Sequence, residues 1–194
     1  MNFLAHSLLG FDDPALIAGQ FCGDFVRGSD LSHLPARVEQ GVRLHRHLDR
    51  FTDTHSDLLA VRDQMSDIPR RFAGIVVDVL LDHYLARHWE QFSDRSLEAH
   101  SQMVNQALHM HQDVLPDSLR RFMRIMAEED ILSNNRNIEA IELTLSRLSM
   151  RSNKFAALAI PVKKLEPLRA RLHEPFGEFY PALHNAASTF LVKQ

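Results

Sequence analysis

Apolar positions recur every three or four residues along nearly the whole chain, and period-two alternation is almost absent, so the pattern predicts helices and no sheet. In "DDPALIAGQFCGDFVRGS" an Asp cap with Pro14 in the first turn opens a helix that is expected to run until near Gly28. A second helix starts at Pro35 and continues to about Thr54. The short "DLLAVRDQM" helix ends before Pro69, where the long central helix "PRRFAGIVVDVLLDHYLARHWEQF" begins. "SLEAHSQMVNQALHMHQDVL" follows and breaks at Pro116. "DSLRRFMRIMAEEDILSN" and "NIEAIELTLSRLSMRS" are amphipathic packing helices. From Val162 the pattern stays helical but is punctuated by Pro167, Pro175 and Pro181. Roughly seven to nine helices are expected, with no internal repeat and no Ser/Gly/Pro-rich linker, as an all-α, single-domain helical bundle over 1–194.

The central helix poses a problem. Ile75, Val76, Val77, Val79, Leu80 and Leu81 leave it almost no solvated side, so it should be buried. It nevertheless carries Asp78 and Asp82 one turn apart, and a buried unpaired carboxylate is costly. Something must neutralise the pair. A cation or a buried ion pair would each do so.

Composition narrows the class. The 194 residues suffice for one sizeable core, and 45% apolar with 24% charged residues is ordinary for a soluble globular protein. One cysteine, Cys22, excludes an intramolecular disulfide. The first residues lack a basic region and a long apolar run, and no stretch approaches a membrane span, so a cytoplasmic protein without membrane partners is expected. The net charge of −3 is unevenly spread. Carboxylates dominate before residue 118, whereas the remainder carries a basic surface suited to an acidic partner. Twelve histidines, clustered before residue 112, point to metal or acid–base work.

Spacing brings some of these residues together. Asp78 and Asp82 share a face at i,i+4, with His83 roughly 100° further round the helix. In "HRHLDRFTD" His45 and Asp49 are also at i,i+4, and Asp53 extends the stripe. A His and a carboxylate on one helical face hold a divalent metal economically, although a salt-bridged solvated face has the same pattern. Arg46 and Arg50 form the neighbouring stripe, suited to phosphate oxygens. Asp24 and His6 stand in apolar surroundings, and Gly19 with Gly23 would let another helix approach closely. No P-loop, GxGxxG, CxxC pair or G-x-S-x-G elbow is present, and "RRFMRIM" is a poor nucleic-acid signal.

As a set, "MNFLAH", "GDFVRG" at 23–28, "HRHLDRFTD" at 45–53, "DVLLDHYLARHW" at 78–89 and the late "FGEFYP" resemble the acyl carrier protein phosphodiesterase family. The resemblance implies a rearranged relative of the HD-domain phosphohydrolases. It also implies Mn²⁺- or Mg²⁺-dependent removal of 4′-phosphopantetheine from holo acyl carrier protein. By motif, Asp24 would be catalytic, and His6, Asp24, His45, Asp49, Asp78, Asp82 and His83 would supply metal ligands in some subset. The adjacent pair reads Asp82-His83, the reverse of the HD order. The expected mechanism is metal-assisted hydrolysis, with Asp24 or Asp53 acting on the water and Arg46 or Arg50 steadying charge. Arg120, Arg121, Arg124, Arg147, Arg151 or Lys154 would form the docking face for the acidic carrier protein. The alternatives are an HD-type phosphohydrolase of small phosphoesters and a non-catalytic helical binding protein.

Overall fold

The computed structural model describes residues 3–193. The described residues form eleven α-helices, three short 3₁₀ turns and no strand, so the all-α expectation holds. The helices are α1 (Phe3–Leu8), α2 (Pro14–Cys22), α3 (Ala36–Thr54), α4 (Ser56–Asp63), α5 (Arg70–Arg87), α6 (Leu97–Met110), α7 (Asp117–Glu128), α8 (Ile131–Asn134), α9 (Ile138–Met150), α10 (Val162–Arg171) and α11 (His173–Val192). The predicted central helix is α5. Val76, Val77, Leu80, Leu81 and Leu85 are fully buried on it, with α1, α4, α9 and α11 packed around.

Boundaries follow local chemistry. Asp13 caps α2 as expected, its carboxylate accepting from the Ala15 and Leu16 amides at 3.0 and 3.1 Å. That helix ends at Cys22, not near Gly28. The Cys22 carbonyl takes the Phe25 and Val26 amides in a turn, and the 23–28 segment leaves as a loop. The expected 117–134 helix is two, because Asp130 adopts a left-handed φ of 43°. Its carboxylate holds Ser101 and Ser133 at 2.7 and 2.9 Å, which fixes the break. Pro167 and Pro181 sit inside α10 and α11, so these prolines do not end their helices. Pro175 falls in the first turn of α11, where the missing N–H costs nothing.

The tightest packing joins α2 to α3. A Cβ on Gly19 would lie 2.1 Å from the Val38 carbonyl oxygen, and one on Gly41 would lie 2.5 Å from that of Leu16. The close approach expected of Gly19 is thus met, with Gly41 as its counterpart. The contact sets Gln20 on α2 opposite the His45 and Asp49 face of α3.

The short α1, which periodicity does not reveal, is tied down at both ends. Asp82 of α5 accepts from the Leu4 and Ala5 amides at 2.7 and 3.0 Å. At the other end Ser7 Oγ donates to the Leu4 carbonyl at 2.7 Å and accepts from His100 Nε2 at 2.8 Å. His100 is fully buried against Trp89, and its Nδ1 has no partner among the described residues. Burial first, then the nearby Arg95 charge (itself paired with Asp12), pushes His100 down from 6.5 to about 4. The unfolded chain therefore takes up this proton before the folded one does. Stability should fall as pH drops through 6.5 toward 4, by up to about 1.4 kcal/mol per pH unit from this group. His100→Gln, whose amide can still donate to Ser7, should show a shallower fall in urea midpoint between pH 7 and pH 5. An identical pH slope in both proteins would refute the assignment.

Candidate metal centre

Two helices converge on one cluster. His6 comes from α1, and His45 and Asp49 come from one face of α3; their ligand-type atoms all lie within 4.8 Å of one another. The two imidazoles stack with centroids 4.0 Å apart. Asp49 faces both of them, with Oδ1 3.1 Å from His6 Nε2 and Oδ2 3.0 Å from His45 Nε2. Asp24, on the loop after α2, brings Oδ1 to 3.6 Å from His45 Nε2. Both histidines are buried, whereas Asp49 and Asp24 are 39% and 50% exposed, so the cluster opens outward on its carboxylate side.

Several neighbours hold this geometry, and one escaped the sequence reading. Gln20 is fully buried, and its Oε1 lies 2.9 Å from His6 Nδ1 while its Nε2 donates to the Leu9 carbonyl at 3.5 Å. Its only sequence signal was a polar residue on an otherwise apolar helix. At Gly23 a Cβ would fall 2.1 Å from the His45 ring, so only glycine lets the Asp24 loop start over that imidazole. Arg46, expected to steady a transition state, instead donates to the Val26 and Gly28 carbonyls at 2.9 and 2.7 Å. It clamps the loop that carries Asp24. Arg50 is exposed one turn further along α3.

The remaining expected residues fall outside the set whose ligand-type atoms lie within 4.8 Å of one another. Asp53 pairs with Arg62 at 3.1 Å, and Arg62 also lies 3.9 Å from Asp78. Asp82 spends both oxygens on the α1 amides. His83 is buried, with Nδ1 2.7 Å from the Asn135 carbonyl. The opening problem of α5 is therefore answered differently for its two carboxylates. Asp82 neutralises the first turn of α1, where orphan amides present positive charge. Asp78 stands near a guanidinium.

Electrostatics sharpen the picture. Burial first, and then the His45 charge, push His6 down to about 4, so His6 is neutral at pH 7. Burial also opposes protonation of His45, but hydrogen bonds to Asp24 and Asp49 outweigh it and raise His45 to about 9. Asp49 is held well below the usual carboxylate range, because the two imidazoles overcome the opposing effect of burial. Asp24 is lowered in the same way by His45. Burial, resisted by the Leu4 and Ala5 amides, raises Asp82 to about 7.

Donor chemistry tests whether a cation fits here. A neutral His6 that donates Nδ1–H to Gln20 Oε1 carries a bare lone pair on Nε2. In that tautomer Nε2 lies 3.1 Å from an Asp49 oxygen, a separation that a cation held by both would satisfy. Two imidazoles and one or two carboxylates, with a hydrogen-bonded partner behind His6, suit a divalent transition metal. Such an ion would compete with the His45 proton. The residues present fit the group.

The fold and site define an all-α protein with a His–His–Asp cluster and a flanking carboxylate, a candidate cation site. The chain belongs to the acyl carrier protein phosphodiesterase family, whose model matches residues 1–183. It is 34% identical over 187 residues to the acyl carrier protein phosphodiesterase of Salmonella agona strain SL483, covering 94% of this chain and 95% of that protein. Its identity and coverage are the same against the proteins of that name from Salmonella newport strain SL254 and Salmonella heidelberg strain SL476. No solved structure matches the chain.

Proposed function

We propose that this protein hydrolyses the phosphodiester joining 4′-phosphopantetheine to holo acyl carrier protein, with Mn²⁺ or Mg²⁺ held by His6, His45 and Asp49. The observation that carries the metal is the convergence of ligand-type atoms of His6, His45 and Asp49 within 4.8 Å of one another. The substrate rests on family membership and on the name of the Salmonella relatives. A cation gathered from separate helices is also the logic of HD-type phosphohydrolases, to which this fold would be a rearranged relative.

A divalent ion so held would polarise a phosphoryl oxygen and bring a water toward neutral pKa. Gln20 fixes the His6 tautomer that presents Nε2 to the site. Asp24, half-exposed and kept ionised beside His45, is placed to orient the attacking water and take its proton. That proton then passes, through solvent on the open side, to the departing serine oxygen, so that the carrier-protein serine leaves as an alcohol. Arg46 acts by holding the Asp24 loop, and the exposed Arg50 is the arginine of that stripe left to meet phosphate oxygens. The exposed Arg120, Arg121 and Arg124 on α7 offer a basic face to an acidic carrier protein.

The test is incubation of the purified protein with holo acyl carrier protein and Mn²⁺, with and without EDTA, followed by intact mass of the carrier protein. Metal-dependent loss of one phosphopantetheine unit is expected. Turnover of small phosphodiesters with none of holo carrier protein would replace this reading by a small-molecule phosphohydrolase. No turnover and no bound metal would leave the cluster as a structural ion pair.

A further inference from the structure

Beside the metal centre a cavity of about 330 Å³ opens from Asp24 and Asp78 and runs between α5 and the α7–α9 segment. Its walls are mostly apolar, and Phe3 and Phe122 meet in it with centroids 4.8 Å apart. Two features set it apart from an ordinary packing gap. It shares Asp24 with the cluster, so anything bound to the cluster through a phosphate lies at its entrance. It is also lined by Asn135, which is only 5% exposed and whose side-chain amide makes no hydrogen bond among the described residues. Its amide keeps contact with solvent at the cavity wall, so a ligand amide can take the place of that water.

Resting on the function proposed above, we infer that this cavity is the binding site for the pantetheine arm of the substrate. That arm is an uncharged chain of methyl, methylene and amide groups attached to one side of the phosphate. It has the apolar body that the phenylalanines cover and the amides that Asn135 and Thr144 can meet. The volume lies at the lower end of ordinary ligand pockets, about 300–1,000 Å³, which suits a slender chain. Besides Asp24 and Asp78, the charged residues that line the cavity are Arg147 and Arg151, and Arg147 is already paired with Glu129. With the arm turned inward, the carrier protein is left on the open, carboxylate side of the cluster.

Calorimetry with Mn²⁺-loaded protein separates the arm from the phosphate by using 4′-phosphopantetheine and inorganic phosphate as the two probes. The wild type should bind 4′-phosphopantetheine at least roughly tenfold more tightly than phosphate. Thr144→Trp, which fills the cavity, should erase that preference while phosphate affinity stays unchanged. Asn135→Leu should reduce it by roughly fivefold. If Thr144→Trp does not fold, Ile125→Trp fills the cavity from its rim, where the native side chain is 45% exposed. Equal affinity for both probes in the wild type, or a preference untouched by the filling variants, overturns the inference. So does a filling variant that weakens apo carrier protein, which lacks the arm, as much as 4′-phosphopantetheine; the cavity would then seat the protein itself. Turnover of holo carrier protein by the wild type is scored separately, so failure of the reaction and failure of the arm site give different results.

Discussion

Asp49→Ala should abolish turnover of holo acyl carrier protein and weaken Mn²⁺ binding by more than about 100-fold, the upper range for removing a mere supporting group of a metal site. Asp49 is the one residue of the cluster that faces both imidazoles, at 3.1 and 3.0 Å. Its loss removes a ligand and also the negative charge that raises His45, so the two stacked rings, 4.0 Å apart, lose the group between them. Asp49→Asn keeps the volume and is the cleaner variant: it should retain the helical circular dichroism and still lose the thermal shift with Mn²⁺. A folded Asp49→Asn protein with wild-type metal affinity and turnover would sink the metal centre. Asp24→Ala makes an instructive contrast. Asp24 is half-exposed on a loop and only 3.6 Å from His45, so its removal should stop turnover with the fold and much of the metal affinity intact.

Gly19→Ala should be the most destabilising single-methyl addition in the molecule. The added Cβ would meet the Val38 carbonyl oxygen at 2.1 Å, the Gly41 Cα at 2.7 Å and the Val42 nitrogen at 2.9 Å, all of them backbone. No rotamer change relieves such contacts, so α2 and α3 must separate. Overpacking costs about 1–3 kcal/mol where side chains can adjust, and a backbone clash belongs at or above the top of that range. The better helix propensity of alanine returns about 1 kcal/mol at most. A net loss of about 3 kcal/mol would lower Tm by about 10 °C in a chain of this size. Because Gln20 is the next residue on α2, the same shift should loosen His6 and reduce Mn²⁺ affinity in whatever fraction stays folded. A Gly19→Ala protein melting within a degree or two of wild type would show that the helices have room that the geometry denies them.

The parts of the site legible in the chain were those set by helical periodicity. His45 and Asp49 meet because residues four apart share a face, and that relation needs nothing beyond the helix itself. The Asp13 cap, the start of α5 after Pro69 and the burial of α5 were readable for the same local reason. Residues whose roles depend on a distant partner were not. Arg46 and Asp53 sit on the same promising helix, yet one clamps a loop and the other pairs with Arg62. Gln20 carries no motif, but it holds His6 Nδ1 at 2.9 Å.

Asp78 and Asp82 mark the boundary most clearly. Periodicity and burial were enough to state that a carboxylate on so apolar a helix must be neutralised, since desolvation acts on the residue wherever it is buried. What neutralises it depends on which group the fold carries into reach, and that is a matter of long-range packing. For Asp82 the fold brings in the first turn of α1, 78 and 77 residues away in the chain. The sequence by itself determined the all-α class, the apolar faces of the longer helices and the one candidate ligand pair that lies within a single helix. Only the tertiary structure decided that His6 joins that pair, that Asp24 is held beside it and that a cavity opens alongside. Each of those depends on distances between helices, set here by glycine contacts and buried hydrogen bonds that no local pattern encodes.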